Sequence, residues 1–398
     1  MKRPIIKVNR SGILLVIIVS QFTCVSLWFA GNGVMADLMR TFQLPESTLG
    51  NLTSAVQFGF IAGTLIYAMF AIADRFSPSK VFLISAILAA FCNLGTIFSE
   101  GSLSVLMCSR FFTGFFLAGI YPVGMKIAAD YYDKDLGKAL GFLLAALVLG
   151  TAFPHFLKTV LSPLPWDYVL ISTSILSLSG GMLLFFMVPD GPFRKKGTRI
   201  DRQSIFNAFR EKKFRVAALG YFGHMWELYA FWAFVPLVLA GVFSYAGITD
   251  VQISTTTFFI IGIGSISCII GGYMAQKMGS YKVALIALTC SGLCCLISPF
   301  IFSIHHYFIY GFMLFWGMVV IMDSPQFSTL IAQSAPEENK GSALTIVNCI
   351  GFSITILSIQ LLNFMKDDVS YKWLFFFLLP GPVLGVIALL FGKRGSSE

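Results

Sequence analysis

Charged residues are what this sequence has least of: Asp, Glu, Lys and Arg make up 12% of its 398 positions, about half the roughly 25% of a soluble domain. Most of the chain therefore cannot face water. Other absences narrow the field. No Walker phosphate loop occurs, so ATP is not the direct energy source within this chain. The eight cysteines (24, 92, 108, 268, 290, 294, 295 and 349) form no CxxC pair and all fall in apolar stretches. They read as small buried free thiols and not as a disulfide framework or a metal site. The net charge of +9 comes with no basic–aromatic patch or nucleic-acid motif, which argues against a nucleic-acid partner. No nucleophile–base pair or full ligand set is visible, so an intramembrane enzyme is disfavoured and no metal or cofactor is expected.

What is present is apolar. Hydrophobic residues make up 57%, the mean hydropathy is +0.81, and there are 41 phenylalanines. Twelve apolar segments can be drawn: 11–35, 48–72, 80–98, 103–128, 138–160, 167–188, 214–243, 251–275, 283–303, 306–330, 341–364 and 371–391. Most are long enough to cross a ~30 Å hydrocarbon layer as helices, and lipid leaves backbone groups no other open-chain solution. The basic N-terminus (Lys2, Arg3, Lys7, Arg10) resembles the start of a signal peptide. The run that follows is long enough to span and has a counterpart later in the chain, so it reads as a retained first helix.

Charge predicts orientation. With the N-terminus inside, twenty-two Lys and Arg residues fall on the cytoplasmic side. Only Arg40, Lys158, Lys366 and Lys372 fall on the other, while Arg110 and Lys126 lie within the fourth segment. That asymmetry places both termini in the cytoplasm. The stretch 190–215 is the one long polar segment and splits the chain six helices from six. The expected organisation is a bundle over 1–189, a cytoplasmic linker over 190–213, and a second bundle over 214–398. Within the linker, Arg202 to Phe214 reads as a solvated connector or as an amphipathic helix on an anionic leaflet.

The halves repeat. Ala73-Asp74-Arg75-Phe76 … Lys80-Val81 returns as Ala275-Gln276-Lys277-Met278 … Lys282-Val283, and Gly137-Lys138-Ala139-Leu140 as Gly341-Ser342-Ala343-Leu344. Trp28 matches Trp232, and Pro122 matches Pro325. All four offsets lie within two residues of one another, as parallel repeats require, and such repeats place a solute site between the halves near the midplane.

Twelve helices in two halves, with Asp74-Arg75 and Lys80 between the second and third, resemble the major facilitator superfamily. The loop is similar to that family's G-x-x-x-D-R-x-G-R-R signature, with Phe70 in place of the first Gly and Ser77, Pro78 and Ser79 in place of the Gly and two Arg. Arg110-x-x-x-Gly114 is similar to the family's second motif. The segment Gly223-His-Met-Trp-Glu-Leu-Tyr-Ala-Phe-Trp232 resembles the seventh helix of some bacterial members. The resemblance implies an all-α membrane fold of two six-helix pseudo-symmetric bundles in a bacterial inner membrane. It also implies a gating role for Asp74 and Arg75, against the plainer reading that charged loops only set topology. A monomer suffices in this architecture.

Ionisable groups at bilayer depth are costly and therefore candidates for function. Among the acids only Glu227 and Asp323 lie well inside apolar runs. Glu227 falls near the bilayer centre by rise per residue, with His224 one turn away on the same face. A carboxyl group removed from water can load and release a proton, so Glu227 is the proposed proton carrier with His224 as relay; the alternative is a glutamate permanently hydrogen-bonded to a neighbouring helix. Arg110 is expected to bind an anionic solute or to pair with an intramembrane acid, or else to hold helices through backbone carbonyls. Lys126 contacts solute or snorkels. Asp323-Ser324-Pro325 and Tyr121-Pro122 break the tenth and fourth helices. Gln21, Trp28, Asn32 and Gln57, with Tyr229 and Trp232, offer hydrogen-bonding and aromatic surface for a cavity, though each is also an ordinary packing residue.

These residues point to proton-coupled uptake of a small polar or anionic organic solute by alternating access. Efflux of amphipathic drugs or of a metabolite such as a siderophore is the first alternative. The separated glycine and proline of Gly150-Thr-Ala-Phe-Pro154-His155 depart from the fifth-helix motif of drug/proton antiporters and weigh against it. The second alternative is a transport-like sensor or scaffold acting through 190–215, a stretch too short for a folded domain.

Overall fold

The computed structural model describes residues 10–132, 136–194, 208–244, 247–335 and 340–393, which are helical with no strand among them. Of the proposed amphipathic segment from Arg202 to Phe214, the part up to Asn207 lies outside the described residues. The chain divides into two compact units, Met1–Arg199 and Ile200–Glu398.

In the first unit, α1 comprises Arg10–Val25 and, after a break, Ala30–Gly33 and Met35–Phe42. It is followed by α2 (Thr48–Met69), α3 (Pro78–Gly95), α4 (Leu103–Tyr131), α5 (Leu136–Val160) and α6 (Asp167–Met187). The second unit holds α7 (Lys212–Val242), α8 (Asp250–Met278), α9 (Ser280–Ile301), α10 (His306–Ser334), α11 (Lys340–Met365) and α12 (Tyr371–Gly392). Among the described residues eleven helices are long and apolar enough to cross a membrane, and Gly12–Val25 is a shorter apolar helix that completes twelve. Large apolar side chains such as Phe58, Phe91, Phe186, Phe300 and Phe391 are exposed. In water they would be a liability, but in lipid they are the normal outer surface of a bundle.

The repeat read in the sequence is also a repeat of packing. In the first unit α1 lies against α5 and α6, α2 against α4, and α3 against α6; in the second, α7 lies against α11 and α12, α8 against α10, and α9 against α12. One device recurs residue for residue. Gly114 of α4 sits where a Cβ would collide with the carbonyl of Val56 in α2, and Gly317 of α10 sits likewise against the carbonyl of Ile260 in α8. Without side chains at these points the paired backbones approach closely, which is how membrane helices gain van der Waals contact.

Breaks interrupt α1, α4 and α10, and a 3-10 stretch, Phe375–Leu378, interrupts α12. In α4 the helix pauses between Leu117 and Tyr121, and Pro122 opens its second part, Tyr121–Tyr131. In α10 the corresponding break is at Asp323, with Pro325 in the first turn of Ser324–Ser334. Proline supplies no N–H, so the start of a helix is where it costs least. The break in α1 involves no proline and was not expected from the run 11–35. Here Trp28 N–H donates to Val25 O at 2.9 Å, an i→i−3 bond in place of the α-helical one, and carbonyls at the break are left free to accept other donors.

Candidate functional site: two buried polar networks

The first network centres on Arg110, which α4 carries to full burial at 1% exposure. One guanidinium nitrogen donates to Asn93 Oδ1 at 3.0 Å, and the other to the carbonyls of Leu27 (3.1 Å) and Trp28 (2.6 Å). Asn93 Nδ2 in turn lies within hydrogen-bond distance of Leu170 O, Thr173 Oγ1 and Ser174 Oγ of α6, at 3.0–3.2 Å. Arg110 therefore spends its fork on the carbonyls exposed by the α1 break and on α3. Of the readings open from sequence, this geometry favours the one in which it holds helices through backbone oxygens. The fan of rigid donors suits that task, which lysine could not reproduce.

The second network centres on Glu227 of α7, also 1% exposed. Its Oε1 accepts from Ser291 Oγ at 2.6 Å, Cys295 Sγ at 3.4 Å and Trp316 Nε1 at 2.7 Å, so one carboxyl oxygen ties α7 to α9 and α10. One turn earlier on α7, His224 Nδ1 lies 2.8 Å from Asp323 Oδ1, and both side chains are 1% exposed. His224 Nε2 is buried and meets no further partner among the described residues. Asp323 occupies the α10 break as the N-cap of Ser324–Ser334, where the free N–H groups of a helix start favour an acidic side chain. Glu227 thus lies one turn from a buried imidazole–carboxyl pair, His224–Asp323. Among the described residues no cluster of three or more His, Cys, Asp or Glu fits a metal ion.

The two networks occupy related places. Counting along the repeat, Asn93 corresponds to Cys295, Thr113 to Trp316, Arg110 to Met313 and Thr23 to Glu227. The first unit has its buried cation at the meeting of α1, α3 and α4, and the second its buried acid at the meeting of α7, α9 and α10. Ser291, Cys295, Trp316 and Asn93 escaped the sequence reading because neutral residues in apolar runs give no signal of their own. Projecting Glu227's neighbours through the repeat would have been the only route to them.

The remaining candidates distribute as follows. Asn32 Nδ2 donates to Thr53 Oγ1 at 2.8 Å, and the Trp28 ring lies 4.6 Å from Phe60. Gln21 and Gln57 are fully buried, and neither carboxamide meets a hydrogen-bond partner among the described residues. Tyr229 packs edge-on to Trp232 at 5.3 Å and against Phe352 at 5.2 Å. Lys126 Nζ pairs with Asp74 Oδ1 at 2.7 Å and lies 4.0 Å from Asp130, while Arg75 is exposed. The sequence did not single out Arg194, which donates to the carbonyls of Asp74 (3.0 Å) and Phe76 (2.8 Å) and pairs with Asp190 at 2.9 Å. Ser77 Oγ donates to Asp190 at 2.6 Å. The stretch after α6 expected as linker therefore begins as a strap over the α2–α3 turn.

Twelve apolar helices among the described residues, in two repeated bundles each with a buried ionisable residue, define a multi-pass membrane protein of the transporter kind. The Major Facilitator Superfamily model matches residues 17–359, and the chain belongs to that family. Its relatives include an uncharacterized transporter of Schizosaccharomyces pombe, 19% identical over 286 residues, 64% of this chain and 56% of that protein. The uncharacterized transporter YgaY of Escherichia coli K12 is 25% identical over 191 residues, 48% of this chain and 47% of the relative. The chain thus spans about half the length of these curated relatives. Among solved structures, a D-xylose-proton symporter shares the fold at TM-score 0.78 and 16% identity, covering 96% of this chain and 97% of the other. A bacterial homolog of the human lysosomal transporter Spinster does so at 0.68 and 15%, covering 98% and 96%.

Proposed function

We propose that this chain is a secondary active transporter that takes up a small polar or anionic organic solute together with protons, by alternating access. It would act in a bacterial inner membrane, with both termini in the cytoplasm. The observation that carries the reading is Glu227, buried one turn from the His224–Asp323 pair. Three titratable side chains inside an apolar bundle are expensive to retain for packing alone, and two of them lie 2.8 Å apart.

The geometry supplies a coupling step. As a carboxylate, Glu227 accepts charge-assisted bonds from Ser291 and Trp316, each worth roughly twice a neutral one. Protonation weakens both at once and loosens α7 from α9 and α10, so proton binding is converted into helix movement. That one structural neighbour is a D-xylose-proton symporter supports this reading. At the face that the charge count assigns to the cytoplasm, Asp74–Lys126 is a pair that a conformational change can break, in keeping with a gating role for Asp74 and Arg75.

The test is uptake into proteoliposomes under an imposed inside-alkaline gradient, screening organic anions, amino acids, sugars and siderophores with and without a protonophore. Accumulation that needs the gradient is the expected result. Accumulation indifferent to the gradient and the protonophore would refute proton coupling.

A further inference from the structure

Two buried carboxamides of the first unit are left over. On α2, Thr53, Gln57, Phe60 and Thr64 recur at alternating spacings of four and three, which is one face of a helix. Thr53 meets Asn32 and Phe60 meets Trp28, so Gln57 lies between two contacts with α1. Gln21 lies on the Arg10–Val25 part of α1, before the break that holds Trp28. Its Oε1 fills space that exists only because Gly124 of α4 has no Cβ. Gln21 and Gln57 are both 0% exposed, and neither Oε1 nor Nε2 of either residue meets a protein partner among the described residues. A carboxamide buried without hydrogen bonds is destabilising, and an apolar side chain of the same shape would not be. Gln21 and Gln57 are therefore uncommitted recognition groups.

The cations nearby are committed. Arg110 is used up on Asn93 and on the Leu27 and Trp28 carbonyls, Lys126 on Asp74, and Lys158 on Asp37. An anion drawn to these amides would find Arg110, Lys126 and Lys158 already paired and would lose its hydration uncompensated. Each glutamine instead presents two N–H donors beside a carbonyl acceptor, the complement of neighbouring hydroxyls that both accept and donate.

We infer that Gln21 and Gln57 contact the solute and that this solute is uncharged and hydroxyl-bearing, a narrowing that rests on the transport reading above. The experiment is thermal melting of the purified full chain in nanodiscs, with no gradient present. The probes are aldoses and polyols matched with their carboxylate counterparts, such as xylose with xylonate and glucose with gluconate. Wild-type protein is compared with Gln57→Met and Gln21→Met, which keep the side-chain shape and remove the amide.

Without ligand, both variants are expected to melt at or above the wild type, because no protein hydrogen bond is lost. A neutral probe raises the wild-type midpoint where its carboxylate does not, and half-saturation moves up about tenfold or more in each variant, as loss of about one hydrogen bond implies. Unliganded variants that melt several degrees below wild type would show that the amides serve packing and overturn the inference. So would preferential stabilisation by the carboxylates, or no shift from any neutral probe. A neutral solute that binds but is never accumulated under a gradient removes the transport reading and leaves this one. Gradient-driven accumulation of an aldonate does the reverse.

Discussion

Replacing Glu227 by Gln changes one atom and removes one charge, which makes its consequences easy to separate. The amide oxygen can still accept from Ser291 and Trp316, now at 2.6 and 2.7 Å from the carboxylate, so the helices stay joined by two neutral bonds. Passing from charge-assisted to neutral lowers each by about 1 kcal/mol, or about 2 kcal/mol in all. That is too little to unfold a bundle of this size. The proton, by contrast, has no site left. With one proton per neutral solute, a gradient of about one pH unit supports at most about tenfold accumulation, since one unit corresponds to 1.36 kcal/mol. Proteoliposomes with Glu227→Gln should equilibrate solute to a ratio near one while still exchanging labelled for unlabelled solute. Glu227→Ala, which strands the Ser291 and Trp316 donors, should lose about 2–5 kcal/mol of stability as well. Tenfold accumulation in the Gln protein would refute Glu227 as the carrier and leave it as a structural hydrogen-bond acceptor.

Three further outcomes follow from the geometry. Arg110→Lys should lower the melting midpoint sharply, by about 2–4 kcal/mol of stability, because one ammonium cannot serve Asn93 and two carbonyls in a buried site; nanodisc melts check this, and an unchanged midpoint refutes the clamp. Gly114→Ala and Gly317→Ala should each cost about 1–3 kcal/mol by pushing α2 from α4 and α8 from α10, and matched losses in the same assay would confirm that the repeat is one of packing. Asp74→Asn should cost under about 1 kcal/mol, since the pair with Lys126 is partly solvated, yet should change the transport rate severalfold; a rate equal to wild type would reduce that pair to a topology signal.

The sequence by itself determined the class of fold. Twelve apolar runs, the imbalance of Lys and Arg between alternate loops, and four matched positions at nearly constant offset require membrane helices in two related bundles. In hydrocarbon a backbone has few alternatives, so composition and length decide what it does. The candidates that carry charge, Arg110, Glu227 and Asp323, were legible for the same reason, because ionisable residues stand out against an apolar run. Which of them met which partner was not. That His224 faces Asp323, that Arg110 reaches back to the carbonyls of Leu27 and Trp28, and that Trp316 and Ser291 close on Glu227 depend on helix rotation and on side chains far apart in the chain. The break in α1 had no sequence signal because no proline makes it. Only the tertiary structure decided it, by bringing a buried guanidinium to the carbonyls that the break leaves free, as it decided which polar groups in the apolar interior were satisfied and which, like Gln21 and Gln57, were left over.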